Sequence, residues 1–150
     1  MKKDKDTVVT GVITFCASML VLLFLYTAVY KLAGYKAYVG SMHAQPLPEW
    51  SIPTLIWVIP GAEILASILL FFPWGRFWGF FLSAILLASF TGYVALVLSK
   101  AFGEVPCNCG GAIQTLNWTQ HLILNIVFLT LAVAGLVLSR GKHRKPILAM

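Results

Sequence analysis

"PTLIWVIPGAEILASILLFFPWGRFWGFFLSAILLASFTGYVALVLS" occupies residues 53–99. It consists of two apolar runs, 53–72 and 77–99, parted only by "PWGR" at 73–76. Bilayer hydrocarbon is about 30 Å thick, so a spanning helix needs roughly 20 mostly apolar residues. Both runs meet that length. A connection this short makes the two helices antiparallel neighbours. This hairpin therefore reads as two membrane crossings, and it sets the test for the rest of the chain.

The same test selects two further runs, 8–32 before the hairpin and 118–139 after it. Composition agrees: 59% of the 150 residues are hydrophobic and only 11% are charged. A soluble domain of this size cannot hide so much apolar surface. The expected fold is all-α, an integral membrane four-helix bundle with transmembrane helices at about 8–32, 53–72, 77–99 and 118–139. No repeat, linker or composition shift divides the chain, so 1–150 reads as one domain. The first run opens behind Lys2, Lys3 and Lys5, as a signal peptide would. Its apolar core is too long for one and no small-x-small cleavage motif follows, so it reads as a retained helix.

The formal net charge is +6, and its placement is topological. Lys2, Lys3 and Lys5 precede the first run, Arg76 sits in the short turn, and Arg140, Lys142, Arg144 and Lys145 follow the last. The positive-inside rule puts all of these on the cytoplasmic side, with both termini. The other two connections carry Lys36 and Lys100 balanced by Glu49 and Glu104, and face the periplasm. The localisation is then the inner (cytoplasmic) membrane. The basic tail suits anionic lipid and is too short for a nucleic-acid site.

Polar residues inside the runs are few. Glu63 is the only acidic residue in any of them. A carboxylate in lipid must be protonated, paired or wet. It lies about 15 Å into its helix at 1.5 Å per residue, and Lys31, at the same end of the first run, is the expected partner. The pair reads as a bundle clamp, a proton relay or a cofactor-orienting acid. His121 and Asn125 stand one turn apart on the fourth run, behind Asn117 as N-cap. Tyr26, Tyr30 and Tyr35 suit the water–lipid interface, with Lys31 able to snorkel. Trp50, Trp57, Trp74 and Trp118 read as interface anchors. Ser83, Ser89, Thr91 and Gly92 are expected to permit close helix contact. The segment from about 37 to 52 is expected to lie over the outer face, extended or partly helical. Pro60 is expected to bend its helix.

"PCNCGG" at 106–111 falls in the third connection, on the outer side, where disulfides persist. A Cys107–Cys109 disulfide would close a very small ring under some strain. Strained or exposed disulfides are labile or catalytic, and so short a loop makes a poor staple. Gly110 and Gly111 let the backbone turn tightly. An imidazolium at His121 would favour a thiolate; His121 and Asn125 read equally as a pair making interhelical hydrogen bonds. A metal site built from Cys107, Cys109, His121 and His43 remains open, as does a purely structural turn. Cys16 reads as a small buried hydrophobe.

In order along the chain, "YKLAGY" at 30–35, "IPGAEI" at 59–64, "FTGY" at 90–93, "PCNCGG" at 106–111 and "WTQHLILN" at 118–125 resemble the MauE/DoxX group of small four-helix redox-associated membrane proteins. The resemblance covers nearly the whole chain. It implies a bundle distantly similar to the quinone-linked disulfide-forming membrane enzymes, with Cys107 and Cys109 as the redox pair and Glu63 and His121 as matching polar positions. It further implies a periplasmic thioredoxin-like or client protein as partner, and quinone as the candidate cofactor. The quinone-linked relatives commonly use two cysteine pairs; this chain has one outer pair. The function expected is thiol–disulfide electron transfer, as in maturing disulfide-containing proteins of methylamine utilisation. The alternatives are a structural or assembly subunit and a small metal-handling membrane protein.

Overall fold

The computed structural model describes residues 1–104 and 116–143. They form α1 (Lys2–Ala33), α2 (Tyr35–His43), α3 (Ile52–Phe71), α4 (Arg76–Leu98) and α5 (Trp118–His143). Four of these, α1, α3, α4 and α5, are long and apolar enough to cross a membrane, and their outward faces are dominated by large apolar side chains such as Leu22, Val29, Leu65, Ile85 and Val137. The chain is a multi-pass membrane protein.

The four spans form a closed ring: α1 packs on α3 and α5, and α4 packs on α3 and α5. Each is antiparallel to its chain neighbour. One end of the bundle therefore carries the start of α1, the α3–α4 turn and the close of α5; we call it the terminal end. Arg76 binds that turn to α1, donating from Nη1 to Thr14 Oγ1 at 3.2 Å and from Nε to the Leu70 carbonyl at 3.3 Å. The opposite end carries α2 and the connection between α4 and α5; we call it the α2 end.

The helix phases follow from periodicity. On α1 the buried residues are Ile13, Cys16, Ala17, Leu20, Phe24, Ala28 and Lys31, the three-and-four spacing of one helical face. On α3 they are Ile52, Ile56, Pro60, Glu63, Ala66, Ser67 and Leu70. The main core joins Leu20 and Phe24 of α1, Ala66 and Leu70 of α3, Phe80 and Leu87 of α4, and Ala132 of α5. Its centre is the Phe80 ring, which enters a notch at Gly135. A β-carbon added there would lie 2.2 Å from Phe80 Cε1, so only glycine admits the ring. Gly79 similarly lets α4 close on α3, where a β-carbon would meet Leu70 at 2.8 Å.

Several expectations are sharpened or corrected. Charged flanks stay helical, so α1 starts at Lys2 and α5 runs to His143. The segment after the first span holds the nine-residue α2, which folds back after a break at Gly34. Tyr38 and Met42 of α2 pack on Ile52 and Ile56 of α3. Lys31 does not snorkel; it is buried. Ser89 and Gly92 do not serve helix packing. Both are exposed, because about 100° per residue turns them away from the face set by Ser83, Leu87 and Val94. Gly79 and Gly135 make the close contacts instead.

Candidate functional site

The spacing that buries the α1 stripe ends by aiming Lys31 into the bundle, and the α3 stripe aims Glu63 at the same level. Lys31 Nζ donates to Glu63 Oε1 at 2.5 Å, with both side chains about nine-tenths covered. Either charge alone would be costly at this depth; together they neutralise each other. The expected Lys31–Glu63 pair is present. Ser67 Oγ donates to the Glu63 carbonyl at 2.9 Å, and Thr27 Oγ1 donates to the Phe24 carbonyl at 3.1 Å while lying beside the Glu63 carboxylate.

Tyr38 reaches the pair from α2. Its ring centroid is 6.0 Å from Lys31 Nζ, at the outer reach of a cation–π contact. Burial first, and the negative charge of Glu63 second, push the Tyr38 phenol above its usual range. Among the described residues, neither Tyr38 Oη nor Glu63 Oε2 has a hydrogen-bond partner, although both are buried.

α5 adds the second half of the site. Its start is a reciprocal cap: the Gln120 amide donates to Asn117 Oδ1 at 2.9 Å and the Asn117 amide to Gln120 Oε1 at 3.0 Å, a capping-box geometry. This fixes the helix phase that turns His121 and Asn125 inward, and both are buried. Asn125 Nδ2 also has no hydrogen-bond partner among the described residues. Tyr93 of α4 joins the elements around them. Its hydroxyl donates to Gln45 Oε1, just after α2, at 2.5 Å, and its ring meets Trp118 edge-on at 6.4 Å. Carried across the Leu70–Gly79 and Phe80–Gly135 contacts, the helix register puts Asn125 within about one turn, ~5–6 Å, of the Glu63 level.

The structure thus brings Glu63 together with Lys31 and Tyr38, and sets His121 and Asn125 on one inward face of α5 near the same end. Cys107 and Cys109 lie outside the described residues. The chain leaves the described part after Glu104 and re-enters at Leu116, both adjoining helix ends at the α2 end. Cys16 is buried in the core toward the terminal end, away from these groups. His43 is exposed on α2, and among the described residues no three His, Cys, Asp or Glu side chains gather as a metal site.

Four participants go unassigned in the sequence reading: Gln120, Tyr38, Gln45 and Tyr93. Gln120 was legible, three residues after a capping Asn. Tyr38 and the Gln45–Tyr93 contact were not, because both depend on α2 folding back over α3.

No curated protein and no solved structure matches the chain. A family model does: that of methylamine utilisation protein MauE, over residues 9–138. The match runs from inside α1 to inside α5 and includes Lys31, Glu63, His121, Asn125 and the CxC connection, and the chain belongs to the MauE family.

Proposed function

We propose that this chain is a membrane thiol–disulfide exchange protein whose working pair is Cys107 and Cys109. The observation that carries the reading is the CxC pair itself, within a MauE-family chain, in the connection whose flanking residues adjoin the buried polar end of the bundle. The charge pattern supports an orientation with the terminal end cytoplasmic, since Lys2, Lys3, Lys5, Arg76, Arg140 and Lys142 gather there. The CxC connection would then face the periplasm of a cell inner membrane.

The exchange balances without further reactants. A thiolate of a partner dithiol attacks one sulfur of the Cys107–Cys109 disulfide. That S–S bond breaks, a mixed disulfide forms, and the leaving cysteine takes up a proton. The partner's second thiolate then attacks the partner's own bridged sulfur, and the remaining cysteine leaves and is protonated. Two electrons and two protons have passed from partner to pair. His121, buried at the start of α5, is suited to favour the thiolate form when charged. Glu63 serves through its pairing with Lys31, holding α1 and α3 in the register that closes the polar end. The partner is a periplasmic thioredoxin-like or client protein, in the role of maturing disulfide-containing proteins, and quinone is the candidate for reoxidising the pair.

Differential thiol alkylation of membranes across a glutathione or dithiothreitol series tests this, with Cys16→Ala removing the buried thiol. A reversible pair with a potential above about −250 mV, outside the range of structural disulfides, is expected. A pair that stays reduced in an oxidising compartment, or resists reduction below about −300 mV, overturns the proposal.

A further inference from the structure

The bundle core is uneven along its length. Toward the terminal end, Phe24, Leu70 and Phe80 share one level and close the axis, with Phe80 seated at Gly135. Toward the α2 end, three buried polar atoms have no hydrogen-bond partner among the described residues: Tyr38 Oη, Glu63 Oε2 and Asn125 Nδ2. Tyr38, Glu63 and Asn125 are only 3%, 8% and 8% exposed. Buried polar groups in proteins are satisfied almost without exception, by protein or by ordered water. Leaving three orphaned inside a membrane bundle would be costly, because hydrocarbon offers no replacement partner. They come from three different elements, and the Tyr38 donor and Glu63 acceptor flank one ion pair. A donor and an acceptor presented together suit a molecule that accepts from one and donates to the other. At this size, that is water, which in buried sites typically makes about three such bonds.

We propose that the α2-end half of the bundle binds water against Tyr38 Oη, Glu63 Oε2 and Asn125 Nδ2, and that this water reaches the Lys31–Glu63 pair from the α2 side only. The Phe24–Leu70–Phe80 layer blocks the other side, about 10 Å beyond Glu63 at seven residues per side and 1.5 Å per residue. The pair exchanges protons with one face of the membrane. Each proton given to the water is replaced from it, so no net charge crosses and no electron moves. The inference is independent of the thiol chemistry and goes beyond it, because none of its groups is a cysteine.

X-ray radiolysis of the full chain in lipid nanodiscs, read residue by residue by mass spectrometry, tests it. Hydroxyl radicals form from water in place, and the rings of Tyr and Phe react with them at comparable intrinsic rates. Tyr38, Phe24 and Phe80 are similarly buried. The expected result is that Tyr38 is labelled several-fold faster than Phe24 and Phe80. A bulky scavenger in the buffer should suppress labelling of the exposed Trp50 and leave that of Tyr38. Tyr38 labelled no faster than the two phenylalanines overturns the water site. Loss of the Tyr38 label with the scavenger overturns it too, since radicals would then arrive by α2 lifting off. Phe24 and Phe80 labelled as fast as Tyr38 overturns the one-sided access.

Discussion

The terminal half and the α2-end half of this bundle use the same four spans with opposite internal chemistry. Toward the terminal end, interlocking apolar shape holds the helices: Leu20, Phe24, Leu70 and Phe80 are almost wholly buried and Gly135 receives a ring. Toward the α2 end, the inward positions include Lys31, Glu63, His121 and Asn125 beside apolar Ile56, Val94 and Val97, and α2 lies across α3 as a fifth element. The helical spacing does not change between the halves; only the residue types on the buried stripe do. In lipid, apolar side chains gain little by leaving their solvent, so the first half depends on close packing and the second on pairing of charge. The two halves should fail in different ways when altered.

The largest effect is expected in the polar half. Glu63→Ala leaves the Lys31 ammonium buried without its partner and should cost about 3–5 kcal/mol. Replacing both, as Lys31→Met with Glu63→Leu, should recover most of that loss, because a buried pair contributes little net stability over an apolar one. Unfolding of the two variants by denaturing detergent, against the wild type, checks the contrast. A double variant as unstable as the single would mean that the pair contributes through something other than charge neutralisation.

The packed half should respond to volume instead. Gly135→Ala puts a methyl group against the Phe80 ring, where the ideal β-carbon position is 2.2 Å from Cε1, and overpacking of this kind costs about 1–3 kcal/mol. Phe80→Leu in the same chain should restore part of it by vacating the notch. Gly92→Ala, where nothing lies within 4 Å, should be neutral or mildly stabilising. Parallel detergent unfolding of the three variants separates a packing notch from a generic helix glycine.

These halves were unequally legible. Run length alone located the spans to within a few residues, except where Lys2–Thr7 and the end of α5 continue the helices past the apolar limits. The Lys31–Glu63 pair was legible for a simple reason: one acid lay inside the runs, and one cation lay at its depth. The packing contacts were not. Ser89 and Gly92 are small and lie in a span, yet helix phase is set by which neighbours a face meets, and those neighbours turn them outward. Nothing in the residues around Phe80 announces that Gly135, 55 positions later, makes room for it. Tyr38 became a site residue only through the break at Gly34 and the docking of α2, a tertiary event that local propensity does not encode. The redox reading of Cys107 and Cys109 rests on their spacing and on the family, since they lie outside the described residues.

A smaller effect is expected where α4 gives way to the CxC connection. The Ala101 amide donates to the Leu96 carbonyl at 3.3 Å and the Lys100 amide to the Val97 carbonyl at 3.0 Å, a Schellman closure with Lys100 at φ 58°. That left-handed position costs a residue with a β-carbon roughly 1–2 kcal/mol and costs glycine little. Lys100→Gly should therefore stabilise the fold by about 1 kcal/mol, less what the unfolded chain gains in freedom. A gain in the detergent midpoint confirms the strain; a loss would mean that the lysine side chain makes a compensating contact.

The smallest effect is expected at neutral pH and grows only in alkali. Tyr38 is one of five tyrosines, and its phenol is raised by burial and then by the charge of Glu63. The folded chain therefore holds the Tyr38 proton after an unfolded chain, with a phenol near pH 10, has released it. Since the folded state binds more protons above that pH, the stability contributed by neutral Tyr38 is complete below about pH 10 and falls as pH rises beyond it. Absorbance titration near 295 nm should show a late tyrosine ionisation in wild type that is lost in Tyr38→Phe. Late ionisation alone marks a buried phenol, as the apolar half would provide. If Tyr38 also ionises earlier when Glu63 is made Gln, the carboxylate charge reaches it, and the α2 end behaves as one electrostatic unit joining α1, α2 and α3.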